Sequence, residues 1–493
     1  MSQVAPPQPP EPPEPPPSEQ DVALAAGSLG LTAITFQGIT HMAPAAGVML
    51  SAPFIASFAG PAMGLAFGFA GVAALFLANS VSQLAKHLPS AGGYFSYISR
   101  ALNPKLGFMA GWMYFLYDPI VPILCTVIIG GYTEDTLQAQ YGINFPWWAY
   151  SIIVWLGLGV ITFLGVKPSI ATAIILTLVE VGITLALSFT IFAQQGVTSH
   201  DLKLGFTLSG IPGNDQVHGL FLAMVFSVLS YTGFESTAPL AEETRNPKRN
   251  VAIAAIVGTA LILVYYVIFG FASALGFGID NVASDFPSAT NPYYTIANDA
   301  WGSAGTIIVL LALINSGWGC SLAGQSAVTR VYYKMANVGV FPSAFGRLHP
   351  HYRSPHIAIG LQTVFNITLG LFCGWYFGTV NTFGIGGAMI TFGMIFVYGC
   401  GLVAVPIFYL REHRDEFNIV THLIFSILGL ACLVPVFYYS IVPFPPYPIK
   451  IAPIADIVWF VIGILVVVYL ASRRAGALER SREIFEDAQH LEA

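Results

Sequence analysis

Between Leu29 and Ser472 the chain is a succession of apolar segments, each close to the length of a membrane span, joined by short polar connections. A transmembrane helix needs about 20 predominantly apolar residues. Lipid hydrogen-bonds neither N–H nor C=O, so chain crossing it must be helical or closed into a barrel. Twelve segments have the helical length: Leu29–Phe58, Pro61–His87, Leu106–Thr133, Trp147–Val166, Ser169–Gln194, Val217–Leu240, Val251–Phe277, Gly305–Lys334, His356–Phe377, Asn381–Leu410, Ile419–Val442 and Ile451–Ser472. Only 9 % of the 493 residues are charged, against about 25 % in a soluble domain. The expected fold class is an all-α polytopic membrane protein with 12 transmembrane helices.

The basic residues test that count independently. With the N-terminus in the cytoplasm, Lys86, Arg100, Lys105, Lys167, Arg245, Lys248, Arg249, Arg330, Lys334, Arg347, Arg353, Arg411 and Arg414 all fall on the inner side. Arg473, Arg474, Arg480 and Arg482 follow in the tail, leaving only Lys203 and Lys450 outside. Such asymmetry is the positive-inside pattern, and an odd error in the number of helices would destroy it. Both termini are therefore expected in the cytoplasm. Residues 1–28 read as a Pro-rich, unstructured tail without the basic start of a signal peptide. Residues 29–472 form the membrane domain, and 473–493 a second cytoplasmic tail.

Two spans are interrupted at matching places. The first breaks near Met42-Ala43-Pro44, where Pro44 has no amide hydrogen and disfavours helix at Ala43. The sixth breaks at Thr232-Gly233, 189 residues later. The second and seventh spans start 190 residues apart. A five-helix unit used twice (29–194 and 217–410) returns in the opposite membrane orientation, because five is odd. Paired broken helices in an inverted repeat point to a binding site near the midplane. Helices eleven and twelve, 419–472, lie outside the repeat.

The residues beside the breaks suit a zwitterion. Ala45, Ala46 and Gly47 are small, and a half-helix starting there would aim free amides and its positive end at a carboxylate. The half-helix ending near Tyr231 would offer carbonyls to an ammonium group, and Phe234 is placed to stack over a ligand. Glu235 follows at once, with two roles open: proton carrier, or acceptor for the broken backbone. Glu180 in the fifth span is a second intramembrane acid, and it needs a proton or a partner to be tolerated there. It divides between a coupling-ion site and a structural pair. His41 divides between titration or substrate contact and simple packing, and Asp118, Asn79, Asn315, Gln325 and Asn366 read as weaker interhelical polar contacts.

Several classes are disfavoured. The chain has no P-loop, HExxH or GxSxG sequence, so neither ATP hydrolysis nor a familiar enzyme site is indicated. The five cysteines lie singly in apolar stretches and read as small buried hydrophobes. His349-Pro-His351 with His356 is a poor metal tract in a basic loop. No cofactor, metal or nucleic-acid partner is expected, only the bilayer, a small solute and a coupling ion.

Three segments resemble the amino acid–polyamine–organocation superfamily, specifically its amino acid permeases. Pro89-Ser-Ala-Gly-Gly-Tyr-Phe-Ser-Tyr97 with Leu106-Gly-Phe-Met-Ala-Gly-Trp112 is similar to the family's PxxGGxYxY loop and GF..GW start of the third helix. Tyr231-Thr-Gly-Phe-Glu235 with Ala241-Glu-Glu-Thr-Arg-Asn-Pro-Lys-Arg249 is similar to its GFE helix and AEE..NPxR loop. Ala323-Gly-Gln-Ser-Ala327 through Gly339-Val-Phe-Pro342 and Ser354-Pro355 is similar to the end of its eighth helix. The resemblance covers about Leu29–Leu410 and implies a LeuT-like 5+5 inverted repeat with discontinuous helices one and six, working by alternating access.

By the same resemblance the substrate carboxylate would meet the backbone at Ala43, Ala45, Ala46 and Gly47, and its amino group the carbonyls near Ser230, Tyr231 and Gly233. Tyr114, Phe234 and Trp318 would be gates, and Glu235 the proton-linked acid. Two departures stand out: Ala45-Ala46-Gly47 replaces the usual GSG or GTG, and Glu180 occupies a place where proton-coupled members often carry a lysine. The expected function is a secondary transporter of amino acids or related amines in the plasma membrane, with a proton as the coupling ion. A polyamine permease and an amino acid exchanger stay open within transport, and a non-transporting receptor outside it.

Overall fold

The computed structural model describes residues 23–289 and 291–489, and the Pro-rich segment Met1–Gln20 lies outside them. The first apolar run divides into α1 (Leu31–His41) and α2 (Pro44–Ala59), and α3 (Met63–Ala85) follows. A short helix, α4 (Tyr94–Ala101), leads into α5 (Pro104–Tyr117), and α6 (Val121–Tyr141) continues the same rod. Next come α7 (Trp147–Phe163), α8 (Val166–Gln195), the short α9 (Ser199–Phe206) and α10 (Gln216–Ser230). Beyond α10 a 3-10 stretch runs from Phe234 to Glu243. Then come α11 (Pro247–Phe277), two short helices α12 (Val282–Asp285) and α13 (Pro292–Trp301), and α14 (Ser303–Asn337). The chain ends with α15 (His356–Phe377), α16 (Thr379–Glu412), α17 (Phe425–Ile441), α18 (Ile451–Arg473) and α19 (Ala475–Gln489). Among the described residues the one strand-like pairing is a parallel bridge between Leu29 and Thr244.

Eleven of these units, counting each broken or bent rod once, are long and apolar enough to cross a bilayer. The fourth expected span is shorter than the sequence suggested. It ends at Phe163 rather than Val166, because Gly165 turns the backbone out of the helix at φ +105° and α8 begins one residue later. At ~1.5 Å per residue its 17 residues span about 25 Å, slightly less than the hydrocarbon core. The third span was expected to be continuous and is instead bent, with a 3-10 turn at Asp118–Ile120 between α5 and α6. Pro119 and Pro122 supply no backbone donor, which loosens the ladder at that point.

Both anticipated breaks are present. Ala43 adopts a left-handed conformation, φ 50° and ψ 70°, and Pro44 opens α2. Gly233, at φ +126°, closes the loop after α10. The two broken rods run antiparallel, with α2 against α10 and α1 against the 3-10 stretch. Around them α3 packs along α11, α8 along α14, and α16 along α5 and α6.

The charged run after Glu235 fastens one end of this bundle. Glu243 holds the buried Arg330 guanidinium of α14, the two side chains being 1 % and 3 % exposed, and Arg330 also donates to the Ser326 carbonyl at 2.7 Å. Glu242 accepts from Lys334 at 2.7 Å and from the Ala91 amide at 3.1 Å. The Glu243 carbonyl receives the Leu29 amide at 3.0 Å, and the Arg245 amide returns to Leu29 at 2.8 Å. The 3-10 stretch, α14 and the chain before α1 are thus tied together. Removing one partner of a buried ion pair costs about 3–5 kcal/mol, while replacing both by packed apolar groups is far milder. Arg330→Met should therefore lower the melting temperature in detergent markedly, and Arg330→Met with Glu243→Leu should recover most of it. A single variant that melts with the parent would refute the buried-charge account.

Candidate functional site

Breaking two helices inside an apolar bundle frees backbone groups that lipid cannot satisfy. The protein meets that demand with its own side chains. At the start of α2 the Ala45 amide donates to Glu180 Oε2 at 3.0 Å and the Ala46 amide to Ser316 Oγ at 2.9 Å. The Gly47 amide returns to the Ala43 carbonyl at 2.6 Å. At the end of α1 the Cys320 thiol donates to the His41 carbonyl at 3.1 Å.

Tyr266 of α11 joins the two breaks. Its hydroxyl lies against both the Met42 carbonyl and the Ser230 carbonyl, the second at 2.8 Å. Ser230 Oγ in turn reaches the Gly47 carbonyl at 2.7 Å and Ser51 Oγ at 3.0 Å. In the second break the Gly233 amide donates to Glu235 Oε2 at 2.9 Å, while Tyr117 reaches Glu235 Oε1 at 3.3 Å. Gly233 is a position only glycine can hold. Besides its φ, a Cβ there would lie 2.7 Å from the His41 carbonyl carbon and 2.9 Å from the Met42 nitrogen. The loops pack backbone to backbone.

Between them lies a small cavity of about 60 Å³. Of the expected substrate contacts, Ala43, Ala46, Gly47 and Ser230 line it, together with His41, Ser51 and Thr232. Its apolar wall is Leu50, Val121, Leu124, Leu229, Phe383 and Ile390. The remaining expected contacts lie elsewhere. The Ala45 amide belongs to Glu180, and the Tyr231 hydroxyl points to the Phe67 carbonyl of α3 at 2.9 Å. Phe234 is buried against Tyr398, ring centroids 5.1 Å apart, rather than facing the cavity. Trp318, half-buried, packs on Gly157 of α7.

Four ionisable side chains crowd the same region, and all are essentially inaccessible: His41, Asp118, Glu180 and Glu235. His41 Nε2 faces Asp118 Oδ1 at 3.3 Å. Asp118 Oδ2, Glu180 Oε1 and the Tyr114 hydroxyl have no hydrogen-bond partner. Tyr114 and Glu235 share a second, smaller cavity of about 10 Å³ with Tyr94, Gly93 and Pro239. Glu235 lines this second cavity and not the first. The pairing of His41 with Asp118, and the roles of Tyr266 and Ser316, were not evident in the sequence. Tyr265-Tyr266 within an apolar run was the one available sign.

Among the described residues one group of three, His87, His413 and Glu416, brings potential metal ligands within 4.8 Å of one another. Its imidazoles stack at 3.8 Å with 26° between planes. Stacked rings do not aim their in-plane lone pairs at a common ion, so this group reads as a His–carboxylate contact, His87 to Glu416 at 3.1 Å.

A polytopic helical bundle with a cavity between two broken helices is the architecture of a small-solute transporter. The family model for amino acid permeases matches residues 33–477, and the chain belongs to that family. It is similar to the low-affinity putrescine importer PlaP of Escherichia coli, 26 % identical, with 71 % of this chain and 74 % of that protein covered. It is also similar to the branched-chain amino acid permease BcaP of Bacillus subtilis, 22 % identical over 66 % and 67 % of the two chains. The L-asparagine permease of Escherichia coli is 26 % identical over 66 % and 64 %.

The bridge made by Tyr266 generates a direct test. Deleting a hydroxyl that serves buried backbone acceptors costs about 1–3 kcal/mol. Tyr266→Phe should lower the melting temperature of the purified protein and loosen both breaks together, read as faster amide exchange at Met42–Gly47 and at Ser230–Gly233. Unchanged exchange at either break would remove Tyr266 from its linking role.

Proposed function

We propose that this protein is a secondary active transporter of amino acids or related amines, acting by alternating access in the plasma membrane with both termini cytoplasmic. The observation that carries the reading is the cavity enclosed by two touching helix breaks. Each break belongs to the first helix of a five-helix unit. The packing pattern supports an inverted repeat of the LeuT kind: α3 lies on its counterpart α11, the broken rods lie antiparallel, and the α8–α14 pair matches the α16–α5/α6 pair. Within this reading α7 is the fourth of twelve spans, and α17 and α18 stand outside the repeat.

Glu235 and Glu180 are the proposed coupling residues, and the proton is the proposed coupling ion. Glu235 combines two features that suit a proton carrier. It is sealed from solvent, and it lines the smaller cavity shared with Tyr114. Its carboxylate also holds the Gly233 amide, so protonation there would alter the geometry of the second break. Tyr114, at the mouth of that smaller cavity, is the best placed of the proposed gates.

The test separates the two roles of Glu235. Glutamine keeps an oxygen for the Gly233 amide but cannot carry a proton. In proteoliposomes an inward proton gradient should drive uptake by the parent protein. Glu235→Gln should lose gradient-driven uptake while keeping substrate counterflow. Uptake that still follows the gradient in the variant would sink the coupling role, and absence of any uptake or counterflow in the parent would sink transport itself.

A further inference from the structure

We infer that the substrate of this transporter carries no carboxylate: the site is built for an organic ammonium ion. The inference rests on the transport reading and concerns what the same cavity accepts.

An amino acid needs backbone or side-chain donors for its carboxylate. At the start of α2 none is left over. Pro44 has no amide hydrogen, and the next three amides are taken by Glu180, Ser316 and the Ala43 carbonyl. Glu180 is the decisive one. It reaches in from α8 and places a carboxylate oxygen 3.0 Å from the Ala45 amide, against the positive end of the half-helix. The anion for which this helix terminus is fitted is therefore already supplied by the chain. A second carboxylate about 4 Å from an ionised Glu180 would meet repulsion worth roughly a thousandfold in affinity at the effective dielectric of buried sites. If Glu180 is protonated the repulsion goes, but the Ala45 amide stays engaged.

Around the breaks the unpartnered side-chain atoms include His41 Nδ1 and carboxylate oxygens of Glu180 and Asp118. Glu180 Oε1, behind Ala45, and Asp118 Oδ2, behind His41, are buried acceptors without partners. No Lys or Arg lines the cavity. Both carboxylates lie behind the lining rather than in it, where they favour a cation in the cavity over an anion, and a primary ammonium group adds three donors without negative charge. The wall of Leu50, Val121, Leu124, Leu229, Phe383 and Ile390 suits the hydrocarbon body of such an amine.

Matched pairs that differ only in the carboxyl group decide the point: ornithine with putrescine, arginine with agmatine, leucine with isopentylamine, phenylalanine with phenethylamine. Binding to the purified full-length protein is measured by thermal stabilisation, which avoids passive leakage of neutral amines across vesicles, and counterflow in proteoliposomes follows for putrescine and agmatine. In at least one pair the amine should bind about tenfold or more tightly than its amino acid. Glu180→Ala frees the Ala45 amide and should narrow or reverse that ratio, whereas Glu180→Gln, which keeps an acceptor oxygen, should not. An amino acid that binds as well as its amine in every responsive pair overturns the inference and leaves the transport reading standing. No response to either member of any pair overturns both. Should Glu180→Ala fail to fold, the comparison on the parent protein decides alone.

Discussion

Everything at the centre of this molecule depends on satisfying the backbone of two broken helices inside an apolar bundle. A free amide or carbonyl in hydrocarbon costs several kcal/mol, and the breaks expose several each. The protein answers with Glu180, Ser316, Cys320, Tyr266, Ser230 and Glu235, drawn from α8, α14, α11, α10 and the 3-10 stretch itself. Because these partners come from different helices, the conformation of each break is coupled to how the bundle is packed. Tyr266 makes the coupling explicit, since its single hydroxyl proton lies within reach of a carbonyl from each break and can be given to only one at a time. A change in either loop is felt at the other.

The same economy explains the charged run that follows the second break. Glu242 and Glu243 are not a solvated helix end. They hold Lys334, Arg330 and the Ala91 amide, and the backbone beside them clasps Leu29 just before α1. The 3-10 stretch Phe234–Glu243 thus connects the break to the contacts that fasten one end of the bundle. Runs of 3-10 helix longer than three or four residues are uncommon because their hydrogen bonds are poorer, and this one is ten residues long.

The sequence revealed what lipid dictates and missed what side chains choose. Span positions were legible because each needs a long apolar run, and both breaks were legible because Pro44 and Gly233 have backbone reasons to be there. Motifs around Tyr94, Glu235 and Ala323 gave the family. The bend at Asp118-Pro119 was visible as a proline but not as a kink, since prolines are tolerated in membrane helices when neighbours compensate. The end of α7 moved because Gly165 turns the chain, which a composition window does not register. Side-chain roles were harder. Phe234 and Trp318 sit beside the expected site in sequence yet face Tyr398 and α7, because one residue on a helix is about 100° of rotation. Ser316 left no sign, as serine hydroxyls in apolar helices usually bond their own backbone, and Tyr266 showed only as one of two adjacent tyrosines in an apolar run.

The two intramembrane acids are related by the geometry of the breaks. The broken rods run antiparallel, so α2 and the 3-10 stretch leave the midplane in opposite directions, and each begins with an amide-rich, electropositive end. Glu180 sits on the first such end and Glu235 on the second. Each positive terminus that could have drawn an anion into the space between the breaks is thereby neutralised by a carboxylate of the chain itself. The cavity lining itself holds no carboxylate; its polar side chains are Ser51, Ser230, Thr232 and Cys320, with His41 as the one basic side chain. Because each acid holds a backbone amide of its break, the two carboxylates are part of what fixes the geometry of both loops.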